Sequence, residues 1–200
     1  MDETLKTAAH RKPGHPVDPL FPARWSRRAM SGAQLSRETL MTLFEAARWA
    51  PSSFNNQPWR FVYAVRETEA WRRFLDLLTP TNKSWCQGAG ALIIIVSKKT
   101  FDSDGRPSKT HSFDTGSAWM SLALQADMLG LTARGMEGFD YGQAIEAVGL
   151  PEGYSMEAMC AVGYPARVEV LPEDLRSKEI PTGRRPLAET VFEGRFPVSP

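Results

Sequence analysis

The sequence predicts a mixed α+β fold, a sandwich of sheet and helices in one domain. Three observations carry that prediction. Segments with apolar residues at helical spacing alternate along the chain with at least four segments of strand character. Ala91 to Val96 is continuously apolar and rich in β-branched residues, as expected of a central strand covered on both faces. With 200 residues, 42% hydrophobic and 24% charged, the chain can bury a core without disulfide or metal staples.

Taken in order, Met1 to Pro22 hold charges, prolines and little periodicity, and read as an arm. Ser36 is placed to cap a helix with Glu38 in its first turn. Leu40, Leu43, Phe44, Ala47 and Ala50 then recur at helical spacing until Pro51 stops them. Pro51 to Pro58 is rich in turn formers and side-chain amides, hence a loop. Trp59, Phe61, Tyr63 and Val65 alternate with Arg60, Val62 and Ala64, a strand with one well-buried face. Helical spacing returns from Glu67 to Leu78, and Ala91 to Val96 follows as the central strand.

Lys98 to Lys109 is a long polar loop, and Phe113 to Leu129 is the longest helix, closed by Gly130. Apolar residues wrap nearly its whole circumference, so it is expected to be buried on every side, with a second subunit a natural source of cover. Leu131 to Met136 reads as a strand, Tyr141 to Val148 as a short helix capped by Asp140, and Met156 to Val162 as a further strand. The last 35 residues, rich in Pro and Arg, resemble an arm more than a packed element.

Charge and composition exclude several roles. A net charge of +1 gives no global field to recruit nucleic acid or an anionic membrane, so any anion site must be local. Two cysteines and three histidines are too few for a disulfide framework or a zinc cluster. No apolar run approaches the roughly 20 residues that span a bilayer, and the N-terminus lacks a signal-peptide segment. The chain is expected to be cytoplasmic, with no metal.

Gly88-Ala-Gly90 precedes a strand and lacks the third glycine of a dinucleotide fingerprint. His111, Ser112 and Asp114 are hydrolase residue types, but polar residues at a helix start account for them more simply. Cys86 and Cys160 read as small apolar fillers. Two regions ask for more. Arg24, Ser26 and Arg28 alternate, so in an extended segment they fall on one side and can present forked donors and a hydroxyl to a phosphate; a solvated basic turn has the same composition. Ser52, Ser53, Asn55, Asn56 and Gln57, flanked by Phe54 and Trp59, offer edge donors and acceptors for a polar heteroaromatic ring, though an ordinary turn would look alike.

Together these segments resemble the nitroreductase family of flavin enzymes. The resemblance rests on Arg24-x-Ser26-x-Arg28 and on the helix end Ala46-Ala-Arg-Trp-Ala-Pro-Ser52-Ser-Phe-Asn-Asn-Gln57-Pro-Trp59. Asn82 before Trp85, Gly135-Met-Glu137-Gly138-Phe139, Gly163-Tyr-Pro165 and Arg184-Arg-Pro-Leu187 follow in the family's order. It implies an arm over 1–21, an FMN-binding domain over 22–190 and a second arm over 191–200. The implied fold is an α+β sandwich: a central mixed, mainly antiparallel sheet flanked by helices, with the long buried helix at a homodimer interface.

By the same resemblance, Arg24, Trp25, Ser26 and Arg28 would hold the FMN phosphate and ribityl chain, with Arg184 closing over the phosphate. The flavin would sit at the subunit interface: Pro51, Ser52, Ser53 and Asn55 would line it, partly from the other subunit, Asn82 would reach its pyrimidine edge, and Glu137 and Gly138 would present backbone near N5. Two departures stand out. A second cation often found two positions before the last arginine is Thr182 here, so Arg185 or Arg27 would take part in its place. The aromatic residue often found two positions after Arg28 is Met30.

The implied reaction passes a hydride from NAD(P)H through flavin N5 to a nitroaromatic or quinone-like acceptor in ping-pong order, with no side chain acting as acid or base. The alternatives are another flavin reaction on the same fold, reductive dehalogenation or flavin breakdown, and a flavin-free phosphate-binding interaction domain.

Overall fold

Side-chain caps start the helices where the sequence marks them. The computed structural model describes residues 10–197, and the parts of the two expected arms over 1–9 and 198–200 lie outside the described residues. Ser36 Oγ accepts from the Thr39 N–H at 3.0 Å and opens α1 (Arg37–Arg48). Thr68 does the same for the Trp71 N–H ahead of α2 (Glu69–Asp76), and Asp140 for the Gln143 N–H ahead of α5 (Tyr141–Val148). The longest helix, α4 (His111–Met128), ends beside Gly130 at φ +69°, a left-handed position where glycine carries no Cβ penalty.

The strands are β1 (Trp59–Val65), β2 (Ala91–Lys98), β3 (Thr132–Met136) and β4 (Tyr154–Gly163). They form one sheet in the order β1-β2-β4-β3. Among the described residues every pairing is antiparallel, in keeping with the mainly antiparallel sheet expected. Two helices occupy the β1–β2 connection, and the chain has therefore reversed direction when it returns. β2 is buried from Ala91 to Ser97, as its unbroken apolar run predicts.

Its side chains divide between two cores. Leu92, Ile94 and Val96 pack with Trp71 and Phe74 of α2 and with Trp85 and Cys86 of α3 (Pro80–Cys86). Ala91, Ile93 and Ile95 pack with Leu40 and Leu43 of α1 and with Ala118, Leu122 and Ala126 of α4. Helices thus cover both faces of the sheet, the sandwich the pattern implies.

Three local expectations change. The helix expected over Glu67 to Leu78 stops at Asp76, because Leu78 leaves it to bridge Phe139, and α3 follows unforeseen. α3 is hard to see because Thr, Asn, Lys and Ser fill it, while Pro80 at its start presets the helical φ. In β1 the alternation holds at Trp59, but Tyr63 is exposed, since β1 is an edge strand. Finally, this chain covers α4 on one side only. Ala118, Leu122, Ala123 and Ala126 are buried, whereas Phe113 is 77% exposed and Met128 62%.

By contact density the chain forms two units, one from Ser26 to Glu179 that holds the sheet, the other joining the residues up to Trp25 with those from Ile180 onward. In this second unit Leu20–Ala23 makes one helical turn. Among the described residues, no helix is long and apolar enough to cross a membrane.

Candidate active site

Among the described residues, the amide loop between α1 and β1 gathers three of the four non-glycine residues at positive φ. Phe54, Asn55 and Gln57 sit at φ +50°, +54° and +49°, the left-handed region that non-glycine residues avoid at a cost of about 1–3 kcal/mol each. Several hydrogen bonds hold it there. Ser52 Oγ accepts from the Gln57 N–H at 3.0 Å, and Gln57 Nε2 donates to the Asn55 carbonyl at 3.1 Å. Buried Asp114, in the first turn of α4, accepts from the Ser53 N–H at 3.1 Å and from Thr110 Oγ1 at 3.2 Å. Asn56 donates to the Thr100 carbonyl and accepts from the Asp102 N–H at 3.0 Å. Ser53 Oγ and the Asn55 carboxamide take part in no hydrogen bond within the described residues.

The Lys98 to Lys109 loop closes around this feature. A pocket of about 350 Å³ lies between Asn55, Gln57 and Arg60 on one side and Phe101 and Asp102 on the other. The rings of Phe54 and Phe101 meet edge to face at 5.9 Å. The Arg106 guanidinium lies 4.1 Å from the Phe101 ring centre and 5.2 Å from that of Phe54. Lys98 pairs with Asp102 and holds its carboxyl below the usual range, with Arg60 adding to the effect.

Gly138 is boxed in. A Cβ there would sit 2.7 Å from Asn82 Nδ2 and 3.0 Å from Thr79 Oγ1. Asn82 Nδ2 donates to the Gly138 carbonyl at 2.9 Å, and Asn82 Oδ1 accepts from Trp85 Nε1 at 3.1 Å. The Gly138 carbonyl also accepts the Thr79 N–H, while its own N–H takes part in none of these bonds and Glu137 is exposed.

Arg28 lies against Glu179. One Glu179 oxygen accepts the N–H groups of Arg28 and Ala29 at 2.6 and 2.9 Å, and the other lies 3.6 Å from the Arg28 guanidinium. Arg134 donates to the Ser26 carbonyl and lies over the Trp85 ring. Burial, then repulsion from Arg28, pushes the Arg134 pKa down.

The polar cluster at the start of α4 divides in two. Asp114 serves the amide loop, while His111 and Ser112 serve Glu157, the extra residue of a bulge between Ile95 and Val96. Ser97 and Ser112 both donate to Glu157 Oε1, and Ser97 Oγ lies 2.7 Å from His111 Nδ1. A hydroxyl has one proton, and here the carboxylate takes it, so His111 Nδ1 must be the donor toward Ser97. With Ser97 between histidine and carboxylate, this is not the order of a hydrolytic triad.

The Gly88-Ala-Gly90 signal has a packing origin, since a Cβ on Gly88 would lie 2.3 Å from the Met30 carbonyl oxygen. Met30 itself is buried and bridges Pro165. Cys86 and Cys160 are buried, and burial pushes both thiols up.

In the second unit, Arg11 donates from Nε to the Thr182 carbonyl at 3.0 Å, and from Nη1 to the carbonyls of Pro22 at 3.2 Å and Arg24 at 2.6 Å. Arg184 donates to the same Thr182 carbonyl at 3.3 Å and to that of Gly183 at 2.9 Å. Arg185 is exposed.

Sequence reasoning missed Asp114 as a loop support, Glu179, Arg106 and Arg11. Asp114 and Ser53 are 61 positions apart, and Arg11 and Thr182 are 171 apart, so no local pattern links them.

Comparison with known proteins places the chain. The family model described as "Nitroreductase family" matches residues 22–84 and 79–164. A protein of Rhodopseudomonas palustris named "Putative NADH dehydrogenase/NAD(P)H nitroreductase" is 27% identical over 179 residues, covering 80% of this chain and 90% of its own length. A solved structure titled "The crystal structure of the oxidoreductase containing FMN" is 44% identical, with a TM-score of 0.90 over 94% of this chain and 97% of its own. A protein of Desulfovibrio desulfuricans solved in complex with FMN is 26% identical, with a TM-score of 0.70 over 91% of this chain and all of its own.

Proposed function

Because the chain belongs to the nitroreductase family, we propose that it is an FMN-dependent oxidoreductase. It acts as a homodimer, draws reducing equivalents from NAD(P)H and delivers them to a flat, electron-poor acceptor such as a nitroaromatic or a quinone. The observation that carries the reading is the amide loop. Three left-handed non-glycine residues are held in strain by a buried carboxylate, and such strain persists where the surroundings enforce it for a task.

The donor set suits FMN. Ser53 Oγ and the Asn55 carboxamide are uncommitted neutral polar groups, as the edge of an isoalloxazine requires. Pro51 and Ser52 complete that wall. Asn82 keeps one Nδ2 hydrogen that would serve the pyrimidine edge, and the Gly138 N–H, in no hydrogen bond among the described residues, would be the backbone donor near N5, beside Glu137. The resemblance assigns the ribityl chain and phosphate to Arg24, Trp25, Ser26, Arg28, Arg184 and Arg185.

FMN, when bound, would supply two-electron transfer between NAD(P)H and the acceptor, for which ping-pong kinetics are expected. The chain's own residues bind and orient. Asp114 fixes the Ser53 amide, and with it the position of the Asn55 carboxamide. Phe54 and Phe101 line the pocket with their rings edge to face, and a planar acceptor can stack on the face of one of them. The outward Phe113 and Met128 of α4 are the surface offered to the second subunit.

The test is the absorption spectrum of the protein after incubation with FMN and removal of free ligand, followed by anaerobic titration with NADPH and then a nitroarene. Flavin bands that bleach with NADPH and recover with the nitroarene, at constant FMN, are expected. A colourless protein that gains no thermal stability from FMN overturns the reading.

A further inference from the structure

The pocket between the amide loop and the Lys98 to Lys109 loop holds a guanidinium that is only partly committed. Arg60 lines it and donates from Nη1 to the carbonyls of Gln57 and Trp59, both at 2.8 Å. Among the described residues, its Nε and Nη2 take part in no hydrogen bond. A guanidinium has five N–H groups, so three remain. They include the Nε–Nη2 edge, a fork that can grip a carboxylate with two parallel bonds.

Asp102 stands on the facing wall yet leaves that fork open. Its Oδ2 lies 3.8 Å from Arg60 Nη2, too far for a hydrogen bond, while Lys98 holds the same carboxylate through Oδ1. Arg106, over the Phe101 ring, is matched by Asp104 at 3.1 Å. Lys98, Arg60 and Arg106 thus face two carboxylates, which leaves one positive charge over. The rest of the wall sets the shape. Phe54 and Phe101 meet edge to face at 5.9 Å, Asn55 and Gln57 add neutral amides, and about 350 Å³ is room for one substituted ring. A phosphate dianion would meet Asp102 with nearly twice the charge of a carboxylate, so the singly charged acid fits better.

We propose that Arg60 is a specificity-determining residue that selects aromatic carboxylates, and that the electron acceptor of this chain is a flat arene bearing one carboxylate. The acceptor's role rests on the flavin reading, whereas the binding of the acid rests on the pocket alone.

The experiment titrates 4-nitrobenzoate and its neutral analogue 4-nitrobenzamide into the flavin-loaded full chain, oxidised and without reductant, by isothermal calorimetry. The natural sequence is expected to prefer the acid. Arg60→Gln should lower the acid-to-amide affinity ratio by about 10- to 100-fold, the loss of one charge-assisted contact. Asp102→Asn removes the competing carboxylate while keeping the backbone N–H that Asn56 accepts. It is expected to raise the ratio about two- to fivefold, a gain that damage to the loop would not produce. Equal weakening of acid and amide in Arg60→Gln shows that the residue only shapes the pocket, and overturns the proposal. So do a natural sequence that binds both alike, and displacement of the acid by equimolar inorganic phosphate, which would give the fork to a dianion.

If the natural sequence takes up no FMN, the functional reading fails first. The same titration of the colourless protein then decides the site: a preference for the acid that is lost in Arg60→Gln keeps an aromatic-acid site here, and no preference removes it. If FMN is bound and the bound acid does not reoxidise the flavin reduced by NADPH, the acceptor assignment is overturned. Should Arg60→Gln fail to fold by circular dichroism, Asp102→Asn carries the comparison, and an unchanged ratio there overturns the proposal.

Discussion

Replacing Asp114 by alanine removes the carboxylate that accepts the Ser53 N–H at 3.1 Å and the Thr110 hydroxyl at 3.2 Å. A hydrogen bond to a charged acceptor contributes about 1.5–3 kcal/mol. A carboxylate in the first turn of an 18-residue helix adds about 0.3–1 kcal/mol through the helix dipole. Against this stands the strain at Phe54, Asn55 and Gln57, which the loop sheds in part once it is released. The pin outweighs the strain in the native state, so the net loss is about 2–3 kcal/mol, or a fall in Tm of about 5–10 °C for a chain of this size. Asp114→Asn keeps an oxygen acceptor and loses only the charge, and is expected to cost about 1 kcal/mol. Scanning calorimetry of the two variants reads the difference. Chymotrypsin cleavage after Phe54 reads the loop, and should quicken in Asp114→Ala. A Tm within 1 °C of the natural sequence, or equal losses in both variants, refutes the assignment of Asp114 as the pin.

Two further outcomes follow from packing and burial. Gly138→Ala places a Cβ 2.7 Å from Asn82 Nδ2 and is expected to cost about 1–3 kcal/mol in urea unfolding. Adding Asn82→Ala removes the nearer obstacle, so the double variant should lose less than the sum of the singles, and strict additivity would count against the clash. The buried thiols of Cys86 and Cys160 are pushed up in the folded state, and an unfolded thiol ionises near pH 8.5. Above that pH the unfolded chain releases protons that the folded chain keeps, so stability is full below about pH 8.5 and falls as pH rises, by up to about 1.4 kcal/mol per pH unit for each thiol. Urea melts at pH 8, 9 and 10 should show that decline, and Cys86→Ala with Cys160→Ala should flatten it. An unchanged slope in the double variant would assign the decline to other groups.

Much of the scaffold is legible in the sequence because its causes are local. Ser36 and Asp140 announce helix starts by reaching an N–H three residues on, and Gly130 announces an end by its backbone freedom. The Ala91 to Val96 run identifies the central strand because burial on both faces leaves no polar position. α3 escaped because only Trp85 and Cys86 of its seven residues are buried, too few to set a period. The loop from Ser52 to Gln57 could be picked out as a candidate by residue type, yet its left-handed conformation could not, since nothing nearby in the sequence enforces it.

The chain's own order of residues settled where most of the helices and strands lie and where several begin, because dihedral preference, capping and periodicity act over a few positions. Folding in three dimensions decided the rest. It reversed the direction of each neighbouring strand, set Asp114 under Ser53, placed Arg28 against Glu179, and drew Arg11 and Arg184 to a single oxygen. Those contacts join residues dozens to well over a hundred positions apart, and their geometry exists only once the intervening chain has closed into a packed structure.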